Sequence, residues 1–267
     1  MMNKLCDVKN ISFSYDKSAG KNKMILDDIS FSVSKNEIVG ILGKNGCGKS
    51  TLLNIISGFI VAQKGEVCIK GKSICQAGKK AKDFSLRERA KSISYIQQKS
   101  LNIPSYYQVE DFILEGLRPF RPFGIYKEED YAYLDNIMKE CNLQYFNGRL
   151  VNELSGGEQQ RCFFAREIMK KADLFLFDEP CSAMDIKYQK EFFKLAEKTK
   201  KQNGNSILIT IHDINLAVQN CDRIILLYEG RILYDGPSDE ISCEVLSKAF
   251  DVKVSMEKQY SKKYFYY

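Results

Sequence analysis

The sequence predicts an α/β fold built around a parallel sheet. In the first third of the chain, short strand-like runs alternate with turn residues and one helical run. Further along, residues 174–177 and 206–211 form two mostly apolar runs, each preceded by a helical segment. Strands of this kind are buried on both faces when helices cover a parallel sheet. With 267 residues, 44% hydrophobic and 28% charged, the chain is long enough for one large domain with an insertion.

The N-terminal elements are expected in a simple order. They are strands at residues 8–15, 29–33 and 37–42, a helix that begins at Lys49 and stops at Gly58, and a strand at residues 66–70. Near the other end, the runs 224–228 and 231–234 flank Glu229-Gly230 and predict a closing hairpin.

The pattern changes between residues 101 and 152. Three prolines interrupt this segment, and it contains an apolar series at helical spacing: Leu134, Ile137, Met138 and Cys141. We expect an inserted, mainly helical subdomain here.

Composition excludes several classes of protein. No run approaches the ~18 apolar residues of a membrane span, and the N-terminus lacks a secretory signal, so a soluble cytosolic chain is expected. Nine cysteines without C-x-x-C spacing predict free, mostly buried thiols. The net charge is +6, and a surplus of the same size lies within residues 64–91. Because a nucleic-acid binder more often spreads its basic charge over the domain, we expect no nucleic-acid partner.

Residues 43–50 match G-x-x-x-x-G-K-S, directly after one expected strand and directly before a helix. Glycines let backbone N–H groups wrap a phosphate, Lys49 reaches the terminal phosphates, and the Ser50 hydroxyl ligates Mg²⁺. At the start of the helix, Cys47 is expected to favour its thiolate form. The candidate nucleotide-binding residues of this phosphate loop are Gly43, Asn45, Gly46, Cys47, Gly48, Lys49, Ser50 and Thr51.

Two adjacent carboxylates follow the apolar run 174–177. Asp178 is the candidate Mg²⁺-side carboxylate of a P-loop fold. Glu179 points the other way if the strand continues, and is the candidate catalytic group that orients the attacking water or accepts its proton. A solvated strand end is the alternative.

Residues 154–161, Leu-Ser-Gly-Gly-Glu-Gln-Gln-Arg, resemble the signature sequence of ATP-binding-cassette (ABC) ATPases. Ser155 with Glu158 three residues later also fits a capping box that opens a helix. The resemblance implies that this helix N-terminus faces the ATP bound by a second copy. The residues concerned are Ser155, Gly156, Gly157 and Glu158.

The same resemblance assigns further roles along the chain. Tyr15 matches the aromatic residue that stacks on adenine, with an ordinary strand tyrosine as the alternative. Gln98 matches the glutamine that joins the core to the helical subdomain and touches Mg²⁺, although Gln97 stands beside it. Asp185 ends a segment, 182–185, that resembles the loop crossing the dimer interface.

His212 is the only histidine in the chain. A lone histidine after a strand is normally a satisfied core or surface residue. Its place after the second apolar run matches the catalytic switch histidine of the family, which contacts the γ-phosphate. Together with Glu179, it implies an ATPase that turns over rather than a nucleotide-gated binding module.

The resemblance implies a P-loop NTPase (RecA-like) core with an antiparallel β subdomain and an inserted α-helical subdomain. One ABC domain is expected over residues 1–240, its ATP-binding core formed by 1–97 and 166–235. The helical and signature subdomain is expected at 98–165. Residues 236–267 are expected to be a short tail.

Residues 115–120 and 128–130, with the tail, resemble ATPases that serve iron-chelate, haem and cobalamin importers. The resemblance implies ATP and Mg²⁺ as ligands, a homodimer in the ATP-bound state and two transmembrane permease subunits. A substrate-binding protein is expected as an indirect partner, and the location is peripheral, on the cytoplasmic face of the cell membrane. The alternatives are the ATPase of another ABC transporter and a soluble non-transport ABC ATPase such as a translation or cluster-assembly factor.

Overall fold

The structure is a computed structural model that describes residues 4–15, 24–76, 79–80, 84–97, 106–182, 184–259 and 262–267. Its contacts divide the chain into two compact units. Unit 1 consists of Met1–Ser85 and Ser206–Tyr267, and unit 2 is Leu86–Asn205. The expected boundaries of the ATP-binding core and the helical subdomain stay a prediction.

The described residues form strands and helices in mixed order. The strands are β1 (Lys4–Phe13), β2 (Leu26–Ser34), β3 (Ile38–Leu42), β4 (Lys64–Ile69), β5 (Lys72–Gln76), β6 (Lys79–Lys80), β7 (Ile93–Ile96), β8 (Leu174–Asp178), β9 (Ser206–Thr210), β10 (Arg223–Tyr228), β11 (Arg231–Pro237), β12 (Ser255–Gln259) and β13 (Lys262–Tyr266). The helices are α1 (Lys49–Ile56), α2 (Leu86–Ser92), α3 (Val109–Leu114), α4 (Glu128–Glu140), α5 (Gly156–Met169), α6 (Ile186–Asn203), α7 (Ile214–Asn220) and α8 (Cys243–Phe250).

Unit 1 contains a parallel core. Its strands lie in the order β11-β10-β3-β9, and β3 pairs in parallel with both β9 and β10. Every residue of β3 and of β9 is buried, as the apolar runs predict. The expected hairpin is confirmed, because β10 and β11 are antiparallel and joined at Glu229 and Gly230.

A second sheet of unit 1 is antiparallel. Its order is β2-β1-β4-β5-β6, with β1 paired to β2 and to β4. This sheet corresponds to the antiparallel β subdomain that the resemblance implies. Both sheets expected for the α/β fold are therefore present in unit 1.

Unit 2 combines one parallel strand pair with helices. β7 and β8 are parallel, with Ile96 opposite Phe177. The predicted apolar series buries Leu134, Ile137 and Met138 on one side of α4, with Cys141 just beyond its end.

The C-terminal part holds more structure than a tail. It contains α8 and a hairpin in which β12 pairs with β13. The sequence analysis did not anticipate this hairpin. Within the described residues, no helix combines the length and the apolar character needed to cross a membrane. The structure describes all nine cysteines; none of them forms a disulfide, and six of them are buried.

Candidate functional site

The phosphate loop joins β3 to α1 in unit 1, and its glycines are required by geometry. Gly43 has φ 148° and Gly48 has φ 105°. A Cβ atom would lie 2.5 Å from the Leu227 carbonyl oxygen at Gly43, and 2.9 Å from the Ile25 carbonyl oxygen at Gly48. Any side chain at these two positions would force the backbone to move, so the sequence keeps glycine.

Lys49 opens α1 and folds back over the phosphate loop. Its side chain is only 5% exposed, and Nζ donates to the carbonyl oxygens of Gly43 at 2.8 Å and Lys44 at 3.1 Å. The first turn of α1 contains no acidic residue. The Lys49 charge and the positive end of the helix dipole therefore act together on the same loop, which suits a phosphate.

Tyr15 lies close to the start of α1. A hydrogen bond of 3.2 Å joins its hydroxyl to Oγ1 of the buried Thr51, and its ring meets Phe13 edge-on at 4.9 Å. Tyr15 is 60% exposed, which leaves most of its ring open to a stacking partner.

Cys47 departs from the sequence expectation. Its Sγ lies 2.6 Å from where a Cβ of Gly43 would stand, so the thiol is turned onto the loop backbone. Burial raises the pKa of Cys47, although the Lys49 charge and the backbone N–H groups of residues 47 and 49 act to lower it. The expected preference for thiolate is therefore wrong, because desolvation outweighs the helix N-terminus.

His212 and the phosphate loop lie at the same edge of the unit 1 sheet. Ile41 in β3 pairs in parallel with Thr210 in β9. Because the carboxyl ends of parallel neighbours meet at one edge, the loop that follows β3 and His212, two residues after β9, leave the sheet side by side. The His212 side chain is exposed.

In unit 2, Asp178 and Gln97 likewise lie at the ends of neighbouring parallel strands. Asp178 ends β8 and is 3% exposed, while Gln97 directly follows β7, its parallel neighbour. Gln98 lies outside the described residues, so the choice between the two glutamines stays open.

Glu179 does not continue the strand. β8 ends at Asp178, and Glu179 adopts φ 51°, a left-handed conformation that is uncommon for a residue with a Cβ. A turn follows, in which Ser182 donates to the Glu179 carbonyl oxygen from its backbone N–H at 3.3 Å and from Oγ at 3.1 Å. The alternation expected for a continuing strand is wrong here. Strained backbone of this kind concentrates at functional sites.

The signature segment opens α5. The Ser155 backbone N–H and Oγ donate to Glu158 Oε2 at 2.8 and 2.7 Å. These two hydrogen bonds from Ser155 lower the pKa of Glu158. Gly156 is exposed, and a Cβ there would meet nothing within 4 Å. Glu158 therefore caps the Ser155 backbone N–H, which is one half of the expected capping box, while the exposed Ser155 and Gly156 are open to an approaching partner.

Asp185 caps α6. Its carboxylate accepts a hydrogen bond of 3.0 Å from the Tyr188 backbone N–H, while Cys181 and Met184, which precede it in the chain, are buried. This structural role is compatible with the predicted dimer contact, since Asp185 itself is exposed.

The sequence analysis did not identify the buried charge of Glu167. Glu167 on α5 is fully buried and accepts hydrogen bonds from Ser94 of β7 at 2.6 Å and from Arg166 at 2.7 Å. Lys170 also forms an ion pair with it. Burial raises the pKa of Glu167, but Lys170 and Arg166 outweigh it and hold that pKa below its usual value. The signal that the sequence offered for this buried charge was a glutamate among the apolar residues of α5.

Two of the predicted ligands, one in each unit, carry oxygen atoms of the type that magnesium prefers. The Ser50 hydroxyl follows Lys49 in α1, and the Asp178 carboxylate ends β8; hydroxyl and carboxylate oxygens are hard ligands of the type Mg²⁺ prefers. Among the described residues, no group of three or more His, Cys, Asp or Glu side chains could hold a metal by itself.

The model of the family described as "ABC transporter" matches residues 26–182, which is more than half of the chain. The chain belongs to the ABC transporter family. It is an ABC ATPase, as the segment 154–161 predicts, and the matched region includes the phosphate loop, the signature segment and the two carboxylates.

Relatives in this family cover nearly the whole chain. The petrobactin import ATP-binding protein YclP of Bacillus subtilis is 31% identical over 256 residues, 95% of each chain. The hemin import protein HmuV of Bradyrhizobium diazoefficiens is 32% identical, covering 88% of this chain and 86% of its own. The zinc uptake protein ZurA of Listeria innocua is also 32% identical, with 90% and 88% covered.

Solved ABC structures share the fold. A metal-chelate type ABC transporter in an inward-facing conformation has a TM-score of 0.78 and 25% identity, covering 99% of this chain and 96% of its own. A dimeric ATP-binding cassette in a post-hydrolysis state with ADP and Pi has a TM-score of 0.76 and 27% identity, covering 88% and 99%. The predicted P-loop NTPase fold is confirmed.

Proposed function

We propose that this ABC ATPase powers an importer for an iron chelate, haem or a cobalamin-type substrate. The observation that carries the proposal is similarity over 95% of both chains to a petrobactin import ATPase. The hemin relative and the metal-chelate transporter structure support the same substrate class. The cargo passes through separate permease subunits, so its chemistry leaves no binding site in this chain.

Hydrolysis uses the residues at the strand ends. Backbone N–H groups of the phosphate loop and Lys49 bind the β- and γ-phosphates, and Tyr15 stacks on adenine. Ser50 and Asp178, with Gln98, hold Mg²⁺, which supplies charge neutralisation on the phosphates. Glu179 orients a water molecule and accepts its proton, and His212 contacts the γ-phosphate while ADP leaves.

A complete site needs two copies. In this proposal the chains close head to tail, so that the open first turn of α5 in one copy faces the ATP held by the other. Ser155 and the backbone N–H groups of Gly156, Gly157 and Glu158 then donate to the γ-phosphate, as a helix N-terminus favours. Asp185 stands at the contact between copies. A dimeric relative with ADP and Pi supports this arrangement.

Closure of the dimer on ATP and reopening after hydrolysis drive the permease. Two transmembrane subunits hold the chain at the cytoplasmic face of the membrane, and a substrate-binding protein delivers the cargo to them. In this proposal Gln98 and the helical subdomain transmit the motion to the permease, the role that the family pattern assigns to them.

Uptake in a deletion strain tests the proposal. Deleting the gene should abolish uptake of one substrate among a labelled ferric siderophore, haem and cobalamin, while zinc and spermidine uptake stay unchanged. Wild-type protein should restore uptake and Lys49→Ala should not, because its P-loop charge is gone. Loss of zinc uptake instead would favour the reading suggested by the zinc relative. Unchanged uptake of all five compounds would favour a non-transport ATPase.

A further inference from the structure

The C-terminal hairpin is fastened to α7 by one asparagine. Asn215 Nδ2 donates to the Phe265 carbonyl oxygen at 2.9 Å, and the Phe265 backbone N–H donates to Asn215 Oδ1 at 2.7 Å. The side-chain amide thus donates to and accepts from the backbone of one residue of β13, as a neighbouring strand would. The Phe265 side chain is 2% exposed, so the fastening point is also where the hairpin is buried.

The opposite strand of the hairpin contributes little burial. All five residues of β12 are exposed. An isolated two-stranded hairpin is marginally stable in water, so this one depends on its attachments to unit 1, which include Asn215 of α7 and the Asp239 carbonyl oxygen that accepts from Lys263. A helix of seven residues such as α7 is not stable by itself, so it relies on tertiary contacts: Ile214 and Ala217 are buried, and Asn215 adds the contact with the hairpin.

The helix held in this way begins directly after His212. Asp213 caps α7 by accepting a hydrogen bond of 2.9 Å from the Leu216 backbone N–H, and Asn215 lies in the first turn. His212 therefore lies between Ile211, which is buried after β9, and Asp213, the N-cap of α7. A shift of the first turn of α7 would move His212 with it.

We propose that Asn215 is a positioning residue: by pairing with the Phe265 backbone, it lets the C-terminal hairpin fix the start of α7 and so the place of His212. The inference rests on the proposed function, in which His212 contacts the γ-phosphate. Displacement of a positioned catalytic group lowers the chemical rate much more than it lowers nucleotide affinity.

The experiment compares two asparagines on the same helix. Asn215→Ala removes both hydrogen bonds to the hairpin. Asn220→Ala is the matched control, because Asn220 Nδ2 donates to the Leu216 carbonyl oxygen at 2.8 Å within α7 and makes no such pair with β13. We expect Asn215→Ala to lower kcat by about tenfold with ATP affinity within about twofold of wild type, and Asn220→Ala to change neither.

The position of His212 can be followed by NMR without ambiguity, because it is the only histidine in the chain. Its imidazole signals in the NMR spectrum should shift or broaden in Asn215→Ala and should respond less to Mg·ATP, while Asn220→Ala keeps the wild-type signals. Asn215→Asp keeps the acceptor for the Phe265 N–H and loses the donor, so its kcat should lie between those of wild type and Asn215→Ala.

Three results would overturn the inference. They are an unchanged kcat and His212 signal in Asn215→Ala, an equal loss of kcat and ATP affinity together with a lower Tm, and a further loss when Asn215→Ala is added to His212→Ala. Wild-type kcat in His212→Ala alone would instead contradict the role given to His212 under the proposed function, which keeps the two failures distinct.

Discussion

At the scale of single residues, the backbone conformation of Glu179 bears on its proposed role as the catalytic base. A left-handed glutamate costs of order 1–3 kcal/mol, and it persists here between a fully buried strand and a hydrogen-bonded turn. Because of this turn, the direction of the Glu179 side chain is not the one that a continuing strand would give it. A residue held in this conformation has a fixed direction, which a water-orienting base requires.

We therefore expect Glu179→Gln to lower phosphate release by about 10²–10⁴-fold and to leave ATP affinity within a few-fold of wild type. Glutamine keeps the size of the side chain and loses the proton-accepting charge. The measurements are steady-state phosphate release and binding of a fluorescent ATP analogue. Glu240→Gln, an exposed substitution in unit 1, is the control. Near-normal turnover in Glu179→Gln would contradict the assignment of the base.

Cys47 provides a prediction with a pH dependence. Its pKa is raised from 9.0, so at pH 7 even less of it is thiolate than in an exposed cysteine. Alkylation should be slow at pH 7, accelerate as the pH rises beyond 9, and slow again when Mg·ATP covers the loop. Peptide mapping locates the label among the nine cysteines. Cys47→Ser should keep ATP binding. Fast labelling of Cys47 at pH 7, at the same rate with and without saturating Mg·ATP, would contradict both the burial of the thiol and the binding of phosphate by this loop.

The Cys47 result shows what a motif can and cannot predict. The G-x-x-x-x-G-K-S spacing predicts the loop, the helix and the place of Lys49, because these depend on local backbone geometry. The protonation of Cys47 and the conformation of Glu179 depend instead on side chains and carbonyl groups brought close by folding. Neither is encoded in a window of sequence.

At the scale of elements, α5 carries the signature at its first turn and the Glu167 network near its end. Glu167 ties the helix to β7 through Ser94 and to its own last turn through Lys170. Removing one partner of a buried charge pair strongly destabilises a protein, although Arg166 and Lys170 are partly exposed and can turn to solvent.

We expect Glu167→Gln to lower the free energy of unfolding by about 2 kcal/mol at pH 7. The native pKa of Glu167 is depressed, so its stabilisation is complete above the unfolded value of 4.5 and is lost as the pH falls through the native pKa. The difference between wild type and Glu167→Gln should therefore shrink between about pH 5 and pH 3. Urea unfolding at several pH values measures it, with the exposed Glu128→Gln as control. A difference that does not change with pH would contradict the charged network.

The elements themselves were predictable to different degrees. β3, β8 and β9 are short apolar runs next to turn residues, and burial on both faces makes such strands visible in sequence. β12 has no buried face, and its partner is held by the side chain of Asn215, about fifty residues earlier. A contact of this kind leaves no periodic pattern in the sequence from which it could be predicted.

At the scale of the whole molecule, the surfaces that would complete the site are available. Ser155 and Gly156 at the start of α5 are exposed, as is Asp185, and Lys49 is packed against the phosphate loop of its own chain. If the active sites are shared between two copies, each site combines the Lys49 of one chain with the Ser155 of the other. Defects in these two residues should then complement each other in a mixed dimer.

Mixing Ser155→Arg with Lys49→Ala tests this sharing. Each protein alone should be inactive, because every one of its sites contains the defect. A mixed dimer has one site with both defects and one with neither, so random equal mixing should restore about a quarter of the wild-type ATPase activity. Ser155→Arg alone should keep most of its affinity for nucleotide, since its own phosphate loop is intact, whereas Lys49→Ala should lose it. Crosslinking of differently tagged chains confirms that mixed dimers form. With such dimers present, recovery of no activity would contradict a shared site, and activity in pure Ser155→Arg would show that one chain hydrolyses ATP without the α5 N-terminus of another.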